Sequence, residues 1–187
     1  MKLYHQLSAV AMLLLLAPAQ SVQGRDFASR WALQPVLGAE ISTGDFGDAT
    51  KNGFQWGVKL RRNVHPYYAT EAAWLYTKHN LQNSTGDLSL SRLTWDHIVY
   101  LRHAKVKPFI AVGLGLYQIG SIPAIDTDKR DREFGINVGA GVEFLTSERN
   151  SLVLNFIRFH MTGKARKMDR QRATVITTGI GLNFYLH

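Results

Sequence analysis

The chain of 187 residues contains no cysteine. Disulfide staples are therefore excluded, and an exported domain of this composition must draw its stability from sheet hydrogen bonding and packing. Beyond the first segment there is no run of about 20 apolar residues, which excludes a membrane-spanning helix. Carboxylates are scarce: Asp and Glu total 14 against 22 Lys and Arg, a formal net charge of +8. The histidines are scattered and form no ligand cluster, and Asp126, Asp128 and Asp131 resemble a calcium loop only faintly. That loop lacks the glycine and the bidentate glutamate such a site needs, so no metal and no other cofactor is expected. No long internal repeat and no second domain is visible.

The first segment reads differently from the rest. Met1–Gly24 has Lys2 near its start, an apolar run from Leu7 to Ala17 and small residues after it. This is the pattern of a secretory signal peptide, with cuts after Ala19 or after Gly24. Residues 25–187 then form the mature domain. Its charge is +7, since the +8 of the whole chain loses only Lys2. For an exported protein that balance points to anionic surfaces such as lipid phosphates and away from nucleic acid.

The mature chain alternates apolar and polar residues with a period of two, which specifies β-strands. The last stretch, Ala173–His187, sets Ile176, Ile180, Leu182, Phe184 and Leu186 on one parity and Thr177, Gly179, Gly181 and Asn183 on the other. Seven more strands are expected at Trp31–Ser42, Gly53–Arg62, Tyr67–His79, Ser89–His103, Pro108–Ile119, Phe134–Leu145 and Ser151–Met161. Pro35 has no N–H to give a ladder, so a local irregularity is expected there. Connections alternate long and short, the short ones falling near Val64, Lys105 and Ser147. Tight turns at one end and longer loops at the other are the mark of an outer-membrane barrel. Outward faces such as Phe54-Trp56-Val58-Leu60 and Ile110-Val112-Leu114-Leu116 are too apolar for a soluble barrel, which would hold its apolar faces inside. The expected fold is all-β: an eight-stranded antiparallel up-and-down transmembrane β-barrel in the cell outer membrane, closed by pairing of the first and last strands.

Three segments then resemble a known family. Pro108-Phe109-Ile110-Ala111-Val112-Gly113-Leu114-Gly115, Gly135-Ile136-Asn137-Val138-Gly139-Ala140-Gly141-Val142-Glu143-Phe144 and Gly179-Ile180-Gly181-Leu182-Asn183-Phe184 look like the recurring strands of small outer-membrane barrels related to OmpA and OmpX. The resemblance implies the barrel and a structural or surface-interaction role. Its motifs are architectural and name no chemistry. Family members end on an aromatic residue, whereas here Phe184 is followed by Tyr185-Leu186-His187.

Four groups of residues are candidates for function. Glu40, Lys59, Arg61, Glu71, Asp96, Arg102 and Glu143 fall on inward parities. An eight-stranded barrel has a lumen just wide enough for its own side chains. A closing network of salt bridges and hydrogen bonds is therefore expected, with a narrow small-solute path as the alternative. Lys164, Arg166, Lys167, Arg170 and Arg172 cluster in the last long loop, where lipopolysaccharide phosphates or external ligands would meet them. Phe159-His160-Met161-Thr162-Gly163 resembles the His-x-Ser-Asn motif of PagL-type lipid A deacylases. That resemblance would make His160 the base, Thr162 the nucleophile and Asp169 the orienting acid. Thr162 stands where that family has serine, Gly163 where it has asparagine, and Asp169 lies several residues early. His160 shares the parity of Leu152, Leu154 and Phe156, and is expected to face lipid as that reading requires. The preferred reading is a monomeric, non-catalytic barrel.

Overall fold

The computed structural model describes residues 29–44, 47, 50–80, 87–122, 131–164 and 172–186. The expected signal peptide lies outside them. Eight strands follow one another in chain order. They are β1 (Trp31–Thr43), β2 (Gly53–His65), β3 (Tyr68–Asn80), β4 (Asp87–Tyr100), β5 (Val106–Ile122), β6 (Asp131–Leu145), β7 (Asn150–Lys164) and β8 (Arg172–Leu186). Each pairs antiparallel with its neighbours, and β1 pairs with β8, so the sheet is a closed barrel with no free edge. Strand ends differ from the sequence expectation by up to a few residues. The difference that matters for the lumen is at β4, which stops at Tyr100 and leaves Arg102 in the following turn.

The register gives the tilt. Trp31 leads through Arg62, Thr70, His97, Val112, Val138, Phe159 and Ile176 back to Ile41, a stagger of 41 − 31 = 10 residues. With eight strands, that stagger corresponds to a tilt of about 40° from the barrel axis. The β1–β8 ladder keeps its register but is interrupted between Leu33 and Val36. Pro35, without an N–H, falls in that gap, while on the other side it still faces Val58 of β2.

Burial follows the pleat. β2 alternates without a break from Gly53 to Val64, with Gln55, Lys59 and Arg61 inside and Phe54, Trp56, Val58 and Leu60 outside. The outside residues remain 41–61% exposed on the isolated chain. Only lipid can cover such a band all around the barrel. Aromatic side chains cluster on it, as where Trp56 meets Trp74 edge-on at 5.4 Å between ring centroids. Small residues make room inside. A Cβ at Gly113 would collide with the Asp96 carboxylate and the Trp95 carbonyl, and one at Gly181 would collide with the Gln34 amide.

Candidate functional site: the charged lumen

Inward parity places the polar residues of all eight strands in one narrow bore, where charges must pair to stay buried. They do so in three tiers. The first lies near the short turns, two residues from the end of β6. There Glu143 accepts hydrogen bonds from Arg61 (3.2 Å), Tyr100 (2.6 Å) and Asn183 (3.0 Å). Ser151 and Tyr185 donate to the same carboxylate. Arg61 turns its other edge to Glu71, at 2.6 and 2.8 Å, and Lys59 completes that pair at 2.8 Å. An apolar plug of Ala69, Ile98, Phe109, Ala111 and Val153 packs beside it, with Tyr100.

The second tier is at mid-height. Arg158 reaches Asp96 at 2.6 Å, and Asn137 donates to the other oxygen of the same carboxylate at 2.8 Å. The third tier is near the long loops. Glu40 pairs with Arg92 at 2.7 Å, accepts from Thr77 at 2.8 Å and meets His79 Nε2 at 2.9 Å. His79 Nδ1 lies 2.9 Å from the Lys51 carbonyl, so this ring ties the lumen to the end of the first long loop. Arg92 also donates to Gln55.

Six of the seven residues expected inside are therefore buried there and joined: Glu40, Lys59, Arg61, Glu71, Asp96 and Glu143. Arg102 is the exception. It sits half-buried past the end of β4, because the strand ends three residues earlier than its alternation suggested. Arg92, Arg158, His79 and Lys107 were not among the expected set. Arg92, His79 and Lys107 share the inward parity of their strands, and that signal could have found them. Arg158 could not be found in this way, for a reason that also changes the reading of His160.

The expectation that His160 faces lipid is overturned. β7 carries a bulge, and its registers with both β6 and β8 shift between Asn155 and Arg158. Two successive residues, Phe156 and Ile157, both face outward. The parity flips after them. Arg158, His160 and Thr162 consequently point into the lumen, although Leu152 and Leu154 do not. His160 is fully buried, with Nδ1 2.9 Å from the Tyr117 hydroxyl and Nε2 3.3 Å from that of Thr177. Asp169 lies outside the described residues. So do Arg166, Lys167 and Arg170, while Lys164 and Arg172 face each other across the last rung of β7 and β8. Among the described residues no group of three or more His, Asp or Glu side chains could hold a metal.

A closed barrel with an apolar outer band and a polar, filled bore defines a membrane-spanning barrel protein. The chain belongs to the outer membrane protein beta-barrel domain family, which it matches over residues 7–184. Its place is the cell outer membrane. Among solved structures it is similar to Neisserial surface protein A, with a TM-score of 0.64 at 16% identity, covering 84% of this chain and 97% of that one. It is also similar to Ail of Yersinia pestis, solved in complex with the heparin analogue sucrose octasulfate. There the TM-score is 0.57 at 13% identity, with 85% and 99% of the two chains covered. The N-terminal barrel domain of Pseudomonas aeruginosa OprF gives 0.51 at 15% identity, covering 84% and 98%. Identities this low speak for the fold alone. No curated protein sequence matches the chain.

Proposed function

We propose that the protein is a monomeric, non-catalytic outer-membrane barrel whose role is structural and surface-interacting. Its outer loops contact lipopolysaccharide phosphates or an external anionic ligand. Residues 1–24 act as its signal peptide, removed after Ala19 or Gly24. The observation that carries the reading is the lumen: eight buried charges, four carboxylates and four cations from Glu40 to Arg158, are paired across the bore with hydroxyls and amides between them. A bore organised in this way favours a rigid post over a solute path. The inward position of His160 removes it from the lipid phase in which an acylated substrate would lie.

The basic loop supplies the interaction half of the reading. Lys164 is the last residue of β7 and Arg172 the first of β8, and Arg166, Lys167 and Arg170 lie between them in the sequence. Arginine forks suit phosphate and sulfate oxygens. The sucrose octasulfate in the Ail complex is an anionic ligand of the kind such a loop would take. The test is reversal of these five charges to Glu. Lipopolysaccharide binding by the refolded barrel should fall at least tenfold at low salt. Unchanged binding, with the barrel still folded, refutes the interaction role.

A further inference from the structure

The outer band carries a row of polar side chains on three neighbouring strands. Arg62, Thr70 and His97 stand side by side on β2, β3 and β4, in consecutive register. All three point away from the lumen, and Tyr68 on β3 joins them. The Tyr68 hydroxyl lies 2.5 Å from His97 Nδ1 and the two rings stack, 6.0 Å between centroids. Arg62 lies over the Trp31 ring at 5.4 Å, at the short-turn end of the barrel. Each step along this row climbs about 3 Å towards the outer face, given the tilt. The row is therefore a polar ramp that begins at the periplasmic headgroup level and rises into the band.

Polar groups facing hydrocarbon need partners. The Thr70 hydroxyl is shielded from solvent and has no hydrogen-bond partner among the described residues. Tyr68 engages one nitrogen of His97, and no described residue engages the other. Where the ramp ends, an apolar groove begins. It runs obliquely from His97 past Val112 and Val138 to Phe159 and Met161, with a volume of about 320 Å³ and a floor of backbone at Gly113. The turn nearest its lower end adds Lys105, which is exposed.

We propose that this face binds one glycerophospholipid of the periplasmic leaflet. Its phosphate lies against Arg62, with Lys105 adding positive charge at the rim. Its glycerol and ester oxygens take hydrogen bonds from Thr70 and His97. One acyl chain lies in the groove towards Met161. The ligand is held as an intact lipid, with no bond made or broken. This site is on the opposite side of the membrane from the basic outer loop.

The experiment is native mass spectrometry of the full chain released from nanodiscs of dimyristoyl phosphatidylglycerol. Wild-type barrel should retain one lipid. The Arg62→Gln/His97→Phe pair should reduce the retained fraction at least fivefold, and Val138→Trp, which fills the groove and leaves the polar groups alone, should do the same. Arg62→Lys and a control on the far side of the barrel, Ile180→Trp, should retain it. Folding of each variant is checked by its heat-modifiable mobility on gels. Retention of no lipid by wild type, equal retention by the double variant and Val138→Trp, or loss in Ile180→Trp alone overturns the proposal. Displacement of the lipid by free glycerol 3-phosphate also overturns it, since the groove would then contribute nothing.

Discussion

Glu143 is the group on which most of the lower lumen converges, and replacing it with Gln tests the energetics of the bore directly. The carboxylate accepts from five donors on four other strands: Arg61 on β2, Tyr100 on β4, Ser151 on β7, and Asn183 and Tyr185 on β8. Gln keeps the shape but turns one oxygen into an N–H donor. If that donor replaces Oε2 it faces Arg61 and Tyr100; if it replaces Oε1 it faces Ser151, Asn183 and Tyr185. Either way at least one buried donor is left opposed, and Arg61 loses one of its two carboxylates. Removing one partner of a buried, hydrogen-bonded charge pair costs about 3–5 kcal/mol. Glu71 still neutralises Arg61, so about 3 kcal/mol is the expected loss. At a denaturant slope of about 2 kcal/mol per molar urea, the midpoint falls by about 1.5 M. The assay is urea unfolding from lipid vesicles followed by tryptophan emission. Trp31, Trp56, Trp74 and Trp95 all face lipid and would report its loss together. Glu148→Gln, in an exposed turn, should stay within about 0.5 kcal/mol of wild type. Coincident midpoints for Glu143→Gln and wild type would refute the reasoning, because the carboxylate would then contribute no more than a surface group.

Three further outcomes follow from the same geometry. Gly113→Val should prevent closure of the barrel or cost several kcal/mol, since its Cβ would occupy the space of the Asp96 carboxylate, and heat-modifiable gel mobility would read the failure. Reconstituted wild type should give no large, steady single-channel current in planar bilayers, whereas Asp96→Ala/Arg158→Ala, which empties the middle tier, should raise the conductance; large wild-type currents sink the filled-lumen reading. Incubation with lipid A followed by mass spectrometry should show no lost hydroxyacyl chain, and a loss abolished by His160→Ala would overturn the non-catalytic reading.

The alternation of side chains carried most of the fold in the sequence. Eight apolar faces, three tight turns and an exported chain without cysteine leave few solutions, because an open sheet edge cannot sit in hydrocarbon. The inward positions of Glu40, Lys59, Arg61, Glu71, Asp96 and Glu143 were readable one strand at a time, since parity is a local property. Which carboxylate meets which cation was not. Glu143 and Arg61 are 82 residues apart and meet only because closure of β1 on β8, with a ten-residue stagger, sets the two strands across the bore. Arg102 was misplaced because the end of β4 is fixed by where the turn packs, and alternation continues past it.

β7 shows the limit most plainly. Its sequence allows Leu152, Leu154, Phe156, Arg158 and His160 on one face, and simple alternation puts all five into lipid. One bulge after Asn155 sends the two polar residues inward, where Arg158 finds Asp96 and His160 finds Tyr117 and Thr177. The sequence by itself determined that this chain is a lipid-facing barrel, because apolar parity and strand count are written residue by residue. Only the tertiary structure decided where the parity breaks, because a bulge is selected by the partners that the shifted side chains reach across the closed lumen.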